Sequence, residues 1–219
     1  MQRRLALHRP WPLDRASFIV SAGNADALAL IDASAAWPAG RLALIGPEGS
    51  GKSHLAAIWA AKTGARIVPI NALETVTPGA PLALEDADQA HADQRLFAVI
   101  EAASPDAPLL LTGRSPPRDW IVTLPDLRSR LNAIMVAAVS SPSDEVLAAL
   151  LHRFFRERHI VPPDSVIAYL LRRIERSAEA ALEAVERIDE AAAQDRRNIT
   201  RDLVRKVLGE DLGETGSEG

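Results

Sequence analysis

Short apolar runs alternate with longer mixed stretches through the first 140 residues of the chain. The runs lie at residues 42–45, 66–70, 82–85, 108–112 and 133–138, and apolar side chains dominate them. Strands that are buried on both faces have this composition, whereas half-exposed strands alternate apolar and polar positions. The intervening stretches predict a helix capped by Asn24 that extends to Ser34, a helix over 52–61, and helical or irregular structure over 93–103. The pattern therefore predicts an α/β fold with a parallel five-stranded sheet and helices on both faces.

After residue 139 the apolar positions recur at helical spacing. Val146, Leu147, Leu150, Leu151 and Phe154 follow Ser141 and Pro142, a cap-then-proline order that predicts a helix start. Three more helices are predicted over 163–176, 178–194 and 201–208, the last capped by Thr200. A four-helix bundle therefore follows the α/β core. Residues 1–17 contain Pro10, Trp11 and Pro12 without a sustained period, which predicts an extended arm.

Composition narrows the class of protein. Of the 219 residues, 47% are apolar and 25% are charged, as in globular proteins. No apolar run approaches the ~18 residues that a membrane span requires. The sequence contains no cysteine, which excludes disulfides and thiolate metal sites. We therefore expect a cytoplasmic protein with no membrane partner.

The net charge of −4 comes from the last residues of the sequence. Glu210, Asp211, Glu214 and Glu218 carry it, and residues 1–208 contain 25 basic and 25 acidic side chains. A neutral body offers no broad field for DNA phosphates, so we expect little direct binding to duplex DNA. The four tryptophans are too dispersed for a base-stacking platform and are expected to be core or interface anchors.

The stretch GPEGSGKSH carries the strongest chemical motif. It consists of Gly46, Pro47, Glu48, Gly49, Ser50, Gly51, Lys52, Ser53 and His54. Glycines let several backbone N–H groups converge on phosphate oxygens at a helix N-terminus, while the lysine reaches the terminal phosphates and the serine ligates Mg²⁺. A lysine stands here although the chain has only three lysines and 22 arginines. The motif, between a predicted strand and a predicted helix, indicates nucleotide binding. The five histidines, His54 included, lack metal-ligand spacing and are expected to be packing or surface residues.

An acidic pair follows the third apolar run. Glu85 and Asp86 come directly after Leu82, Ala83 and Leu84. Beside a phosphate loop, Glu85 would hold the water shell of Mg²⁺ and Asp86 would polarise an attacking water. The alternative is a solvated acidic cluster on the surface.

Two arginines lie in the segment LPDLRSRL, residues 124–131, which predicts a short helix. Arg128 and Arg130 are either solvated side chains or a source of positive charge for phosphoryl transfer on a partner molecule. The residues alone do not decide between these alternatives.

Taken together, the motifs resemble the AAA+ module of the bacterial replication initiator DnaA. Among the relatives of DnaA, the sequence resembles most the short proteins of the Hda (HdaA) type from alphaproteobacteria. The segments that carry it are GKSHLA (51–56), FIVSAGN (18–24), LLLTGRSPP (109–117), LPDLRSRL and RIERS (173–177). It covers residues 16–209 and implies an arm over 1–17, an AAA+ core over 18–140, a helical lid over 141–209 and an acidic, disordered tail over 210–219.

The resemblance implies ADP or ATP as the bound nucleotide, together with Mg²⁺. By position, Arg130 matches the arginine finger that points at a neighbouring subunit's nucleotide, and residues 46–53 match the phosphate loop. The positions that match the adenine-holding segment are Phe18, Ile19, Val20 and Asn24.

The resemblance also implies partners. In Hda-type proteins the finger enters ATP-bound DnaA and triggers hydrolysis, while an N-terminal arm docks on the DNA polymerase III beta sliding clamp. In the arm of this chain, Gln2, Leu5 and Leu7 would make the clamp contacts, although two arginines interrupt the usual spacing. A frayed basic terminus is the alternative. Self-association is a further expectation, because AAA+ sites form between subunits.

Three departures from the DnaA pattern bear on activity. The sequence ends after the lid without the initiator's helix-turn-helix domain, so origin recognition is not expected. Gly113 and Arg114 stand where the first sensor is usually polar or acidic, and Glu179 stands at the second sensor arginine, with Arg176 one turn away as a possible substitute. We therefore expect at most weak hydrolysis of the chain's own nucleotide.

Two other functions stay open at this point. A small P-loop nucleotide or metabolite kinase would use lid arginines such as Arg153, Arg156, Arg172 and Arg173. A nucleotide-dependent loader or scaffold would bind the clamp, a helicase or single-stranded DNA through its arm. The first has no role for the LRSR segment, and the second predicts salt-dependent binding of single-stranded DNA.

Overall fold

The computed structural model describes residues 12–195 and 199–209. The strands are β1 (Arg41–Ile45), β2 (Arg66–Pro69), β3 (Leu82–Glu85), β4 (Leu109–Gly113) and β5 (Met135–Ala138). The helices are α1 (Ala25–Asp32), α2 (Lys52–Thr63), α3 (Asp93–Ala102), α4 (Pro125–Asn132), α5 (Asp144–Glu157), α6 (Asp164–Leu170), α7 (Ala178–Asp195) and α8 (Arg201–Gly209). The chain forms two compact units. The first contains 12–19, Ala27–Ile45 and Lys52–Ala137, and the second contains Val20–Asp26, Gly46–Gly51 and the described residues from Ala138 onwards.

The five strands form one sheet in the order β2-β3-β4-β1-β5. Strand β1 pairs in parallel with β4, with Arg41 opposite Leu109, and β3 pairs in parallel with both β4 and β2. Leu42, Ala43 and Leu44 are fully buried, as are the neighbouring residues of β4. This burial on both faces explains the continuous apolar runs, and the predicted α/β class with a parallel five-stranded sheet is confirmed.

Several predicted boundaries shift by one or two residues. Strand β5 begins at residue 135 rather than 133, because Ala133 and Ile134 complete the turn after α4 through N–H bonds to Arg130 and Leu131. Strand β4 occupies 109–113 instead of 108–112. Helix α2 continues to Thr63, and Gly64, with φ of +72°, follows it.

Three tryptophans anchor the first unit. Trp37 and Trp59 stack with ring centroids 5.2 Å apart, and both are buried. Trp120 is buried in the apolar cluster that surrounds β3 and β4, where its indole N–H donates to the carbonyl of Ser115 at 2.8 Å. The prediction of core anchors is therefore confirmed for these three, while Trp11 lies outside the described residues.

The second unit is built on α5, α7 and α8, whose apolar faces are buried. The predicted helix start at Ser141 and Pro142 is wrong, since α5 begins at Asp144 and the hydroxyl of Ser143 accepts from the N–H of Val146 at 3.4 Å. Helix α6 ends at Leu170, short of the predicted residue 176. The Thr200 cap of α8 is confirmed by the hydrogen bond from Leu203 N–H at 3.3 Å.

Among the described residues, none of the helices is long and apolar enough to cross a membrane.

Asp93, the first residue of α3, fastens the segment that leads into α4. Its Oδ2 accepts from the N–H and the hydroxyl of Thr123, both at 2.6 Å, and from the N–H of Leu124 at 3.1 Å. The Thr123 hydroxyl, followed by the two backbone N–H groups, holds the pKa of Asp93 below its usual value. This carboxylate therefore helps to fix where α4 begins.

We predict that Asp93→Asn lowers the free energy of unfolding near neutral pH, on the order of 1 kcal/mol because the group is solvent-accessible. The pKa of Asp93 is lower in the folded state, so its contribution is full above the unfolded value of about 4 and is lost as pH falls through the folded value. Urea unfolding from pH 7 down to pH 3 should show wild type and variant converging at the acid end. The exposed Asp106→Asn serves as the control, and an equal deficit at pH 3 would contradict this account.

Candidate functional site

The loop that leaves β1 is packed too tightly to carry side chains at two of its glycines. A Cβ on Gly46 would lie 2.1 Å from the carbonyl oxygen of Val139, and one on Gly49 would lie 2.3 Å from the Cβ of Ser177. Gly49 also has φ of +69°, which favours glycine. These contacts lie within the second unit. They show that the loop rests against the residues that precede α5 and α7.

Ser177 is a site residue that the sequence analysis missed. It is buried, its Cβ faces Gly49, and its hydroxyl caps α7 by accepting from the N–H of Ala180 at 3.0 Å. The serine before a helical pattern predicts the cap. Nothing in the sequence signals its approach to the glycine loop, because that contact joins distant parts of the chain.

The loop and the helix after it have the features that a phosphate group requires. Ser50 Oγ is buried and, among the described residues, has no hydrogen-bond partner. Lys52 begins the 12-residue helix α2 and is only 8% exposed, while Ser53 is exposed. A buried hydroxyl without a partner, followed by a helix that begins with a lysine, fits a polyphosphate, which supplies hydrogen-bond acceptors and negative charge. The predicted order of strand, glycine loop and helix is confirmed by β1, Gly46–Gly51 and α2.

The segment matched to adenine binding divides between the two units. In the first unit, the Phe18 ring meets the His54 ring edge-on at 5.0 Å, and His54 Nε2 lies 2.8 Å from the carbonyl oxygen of Asp14. Hydrogen bonds from Ser17, hydroxyl first, lower the pKa of Asp14. Ile19, the residue after Phe18, is half-buried. His54 therefore fastens the start of this segment to α2 and acts as the predicted packing residue.

In the second unit, Asn24 is buried and its Oδ1 accepts from the N–H of Ser21 at 2.8 Å. The carbonyl of Gly23 accepts from the N–H of Ser140 at 2.9 Å, which ties this turn to the residues that precede α5. The Val20 side chain is exposed. An exposed apolar residue beside such a turn is able to contact an aromatic base.

The acidic pair lies at the carboxyl end of β3, as predicted. Glu85 ends the strand, and Asp86 has a left-handed backbone with φ of 54°. The N–H of Asp86 donates to Oγ1 of the buried Thr112 on β4 at 3.0 Å, and the Asp86 side chain is exposed. Among the described residues there is no cluster of three or more groups able to hold a metal by themselves. A Mg²⁺ held by Ser53 and Glu85 would therefore need phosphate oxygens and water to complete its shell.

The two arginines of the LRSR segment have different surroundings. Arg128 donates to the carbonyl of Arg118 at 2.7 Å and to the carbonyl of Trp120 at 2.5 Å, so it fastens the turn before α4. Arg130 instead pairs with the Glu101 carboxylate, with Nε 2.6 Å from Oε1 and Nη2 3.1 Å from Oε2. The Arg130 side chain is 49% exposed. Of the two, Arg128 is a structural residue and Arg130 is accessible.

The arginines considered for the lid are mostly engaged within the second unit. Arg176 donates to Asp144 at 2.6 Å and to the carbonyl of Pro142 at 3.1 Å, which binds its guanidinium at the start of α5. Arg153 pairs with Glu157 at 3.3 Å, and Arg173 lies 5.2 Å from the ring centre of Tyr169. These contacts leave the nucleotide role of Arg176 a prediction.

We predict that Gly49→Ala destabilises the protein more than Gly64→Ala does. Both positions have φ near +70°, and an alanine there costs about 1–2 kcal/mol, but Gly64 has open space where a Cβ would stand. At Gly49 the new methyl group collides with the Cβ of Ser177, so the glycine loop must move. Chemical denaturation and ADP titration should show an added loss of stability and a lower affinity for Gly49→Ala. Equal losses of stability in the two variants would show that the loop accommodates a methyl group at position 49.

Comparison with known proteins finds one family match and several structures of similar fold. A family model described as "Hda, lid domain" matches residues 144–208. Domain III of the Thermotoga maritima replication initiation protein DnaA superposes with a TM-score of 0.70 at 14% identity, covering 90% of this chain and 95% of that one. The Thermotoga maritima RuvB Holliday junction branch migration motor gives 0.69 at 19% identity, covering 91% and 72%.

A third structure, the replication initiator DnaA bound to AMPPCP and single-stranded DNA, gives a TM-score of 0.63 at 16% identity, covering 83% of this chain and 67% of that one. At these identities the likeness shows the fold, which is that of an AAA+ core. The chain thus has the fold of an AAA+ core, like domain III of DnaA, and its residues 144–208 match the Hda lid family.

Proposed function

We propose that this protein binds ADP or ATP with Mg²⁺ and restrains replication initiation by stimulating ATP hydrolysis on DnaA. In this proposal Arg130 acts in trans, as an arginine finger that contacts the nucleotide of DnaA. The positive charge stabilises the charge that develops on the transferred phosphoryl group. The nucleotide of this chain itself holds the protein in the form that binds its partner.

The observation that carries this proposal is the position of Arg130 relative to the direction of the strands. Glu101 comes shortly before β4, Arg130 shortly before β5, and Arg41 begins β1, so all three lie at the amino edge of the sheet. The glycine loop and the acidic pair follow the carboxyl ends of β1 and β3. Strand β1 alone separates the two edges by roughly 13 Å, at ~3.3 Å per residue. This separation supports action on another molecule rather than on the chain's own nucleotide.

The nucleotide part of the proposal rests on residues 46–53. The glycine loop, the buried Lys52 and the unpartnered Ser50 hydroxyl would hold the phosphates, and Ser53 with Glu85 would contact Mg²⁺. Mg²⁺ would neutralise phosphate charge. The sensor positions, occupied by Gly113, Arg114 and Glu179, favour retention of the nucleotide over its hydrolysis.

The sliding clamp completes the proposal as the second partner. Its contacts would come from the arm, where Gln2, Leu5 and Leu7 lie outside the described residues. The alphaproteobacterial type and the cytoplasmic location stay predictions from the sequence.

We predict that Arg130→Ala abolishes the stimulation of DnaA ATPase. Arginine fingers contribute about 10³–10⁵ in rate, so the loss should reach the unstimulated rate of DnaA. The measurement is phosphate release from ATP-loaded DnaA with clamp and this protein, using Arg118→Ala as the matched control. Arg118 is 74% exposed and precedes α4, so its removal tests the general effect of losing an arginine there.

The folding of the Arg130→Ala variant is checked by its melting temperature, which should stay close to that of wild type because exposed ion pairs contribute about 0–1 kcal/mol. If a folded Arg130→Ala protein still stimulated the DnaA ATPase fully, the proposed role of Arg130 as an arginine finger would be wrong.

A second prediction concerns the nucleotide of this chain. Lys52→Ala should lower the affinity for ATP and ADP by at least tenfold, since charged hydrogen-bond partners contribute about 1.5–3 kcal/mol. Calorimetric titration with each nucleotide, with and without Mg²⁺, gives the measurement, and Lys62→Ala on the last turn of α2 is the control. If wild type binds neither nucleotide, the phosphate-loop part of the proposal is wrong while the finger stays testable.

A further inference from the structure

Glu101 lies between two arginines at the amino edge of the sheet. Its carboxylate pairs with Arg130 at 2.6 and 3.1 Å, and Oε1 lies 3.9 Å from Nη2 of Arg41. Glu101 belongs to the last turn of α3, Arg41 begins β1, and Arg130 belongs to the last turn of α4. One carboxylate therefore connects the proposed finger to the sheet.

The Arg41 end of this cluster is the more rigid one. The Arg41 side chain is 13% exposed, and burial, followed by the charge of Arg130, lowers its pKa. Its backbone is paired with Leu109 in the sheet. Because two guanidinium groups share a single carboxylate, removal of that charge would leave the two cations to repel each other.

The geometry of the ion pair leaves part of Arg130 available. The carboxylate occupies the Nε and Nη2 side of the guanidinium, and among the described residues this guanidinium has no other hydrogen-bond partner. A guanidinium has five N–H donors, so the Nη1 side can still bind phosphate oxygens. The Glu101 side chain therefore fixes the finger without covering it.

We propose that Glu101 is a positioning residue for Arg130. The carboxylate, supported by Arg41, holds the guanidinium in the orientation in which it meets the phosphate groups of the partner's nucleotide. An unrestrained arginine side chain loses rotamer entropy on binding, and the ion pair removes part of this loss in advance. This inference rests on the proposed function of Arg130.

The test compares Glu101→Gln with wild type in the DnaA ATPase assay. Glutamine keeps the shape and one acceptor oxygen but loses the charge. The maximal stimulated rate should fall between about tenfold and a hundredfold, as expected for a displaced catalytic group. The concentration for half-maximal stimulation should change little, because the loss concerns the transition state. The double variant with Arg130→Ala should be no worse than Arg130→Ala alone.

The matched control is Glu157→Gln, which removes the same kind of carboxylate from the ion pair with Arg153 in the second unit. It should leave the stimulation unchanged. Stimulation by Glu101→Gln at or above the wild-type rate, while Arg130→Ala abolishes it, would overturn the positioning role and leave the finger intact.

A measurement on the free protein tests the ion pair between Glu101 and Arg130 without relying on the proposed arginine finger. In the free protein, the Nε–H group of Arg130, assigned by its absence from Arg130→Ala, should exchange slowly with solvent in wild type and faster in Glu101→Gln. If Arg130→Ala stimulates DnaA fully, the proposed function fails, and this exchange rate still decides whether Glu101 holds Arg130. Equal exchange rates in the two proteins would overturn the inference.

Discussion

The common direction of the strands is the constraint on which the rest of this structure depends. Parallel strands bring all their carboxyl ends to one edge of the sheet and all their amino ends to the other. The glycine loop and the acidic pair follow carboxyl ends, whereas Arg41, Glu101 and Arg130 gather near amino ends. A protein built in this way has two chemically distinct edges. One carries the glycine motif and the acidic pair, and the other carries two arginines against one carboxylate.

At the amino edge of the sheet, the two arginines of α4 have different roles. Arg128 is bound to the backbone carbonyls of residues 118 and 120, and Asp93 fastens residues 123 and 124. These contacts fix the start of α4, and they leave its last turn to carry Arg130. The cluster of Arg41, Glu101 and Arg130 holds two positive charges against one negative, so it keeps a net attraction for anions.

Local pattern predicted the elements of the fold better than the contacts between them. The buried strands, the phosphate loop and the Thr200 cap follow from side-chain periodicity and from residues close together in sequence. The helix start before α5 was misplaced because Ser141 and Ser143 are both suitable caps, and the acidic residues Asp144 and Glu145 favour the second as the first turn. The cap-then-proline order favours Ser141, and the acidic first turn, which is also a local feature, favours the observed cap at Ser143.

The site contacts that the sequence did not predict join distant polar residues. Glu101 and Arg130 are 29 positions apart, and Asp93 and Thr123 are 30 positions apart. A carboxylate on a helix has many possible cationic partners, and only the packing of α3 beside α4 selects one. The same reason explains why Arg41 was not recognised as part of the site, since it resembles any charged residue at a strand end.

The glycine loop shows how one motif can satisfy two separate physical demands. Gly49 must be glycine because Ser177 approaches it, whether or not a nucleotide is present. The hydroxyl of Ser50 is buried and, within the part of the chain that the structure describes, has no hydrogen-bond partner, and burial is costly for such a group. Packing therefore explains the glycine at position 49, whereas it does not explain the buried hydroxyl beside it. Ser177 also caps α7. A shift of Gly49 towards Ser177 would therefore disturb the first turn of that helix.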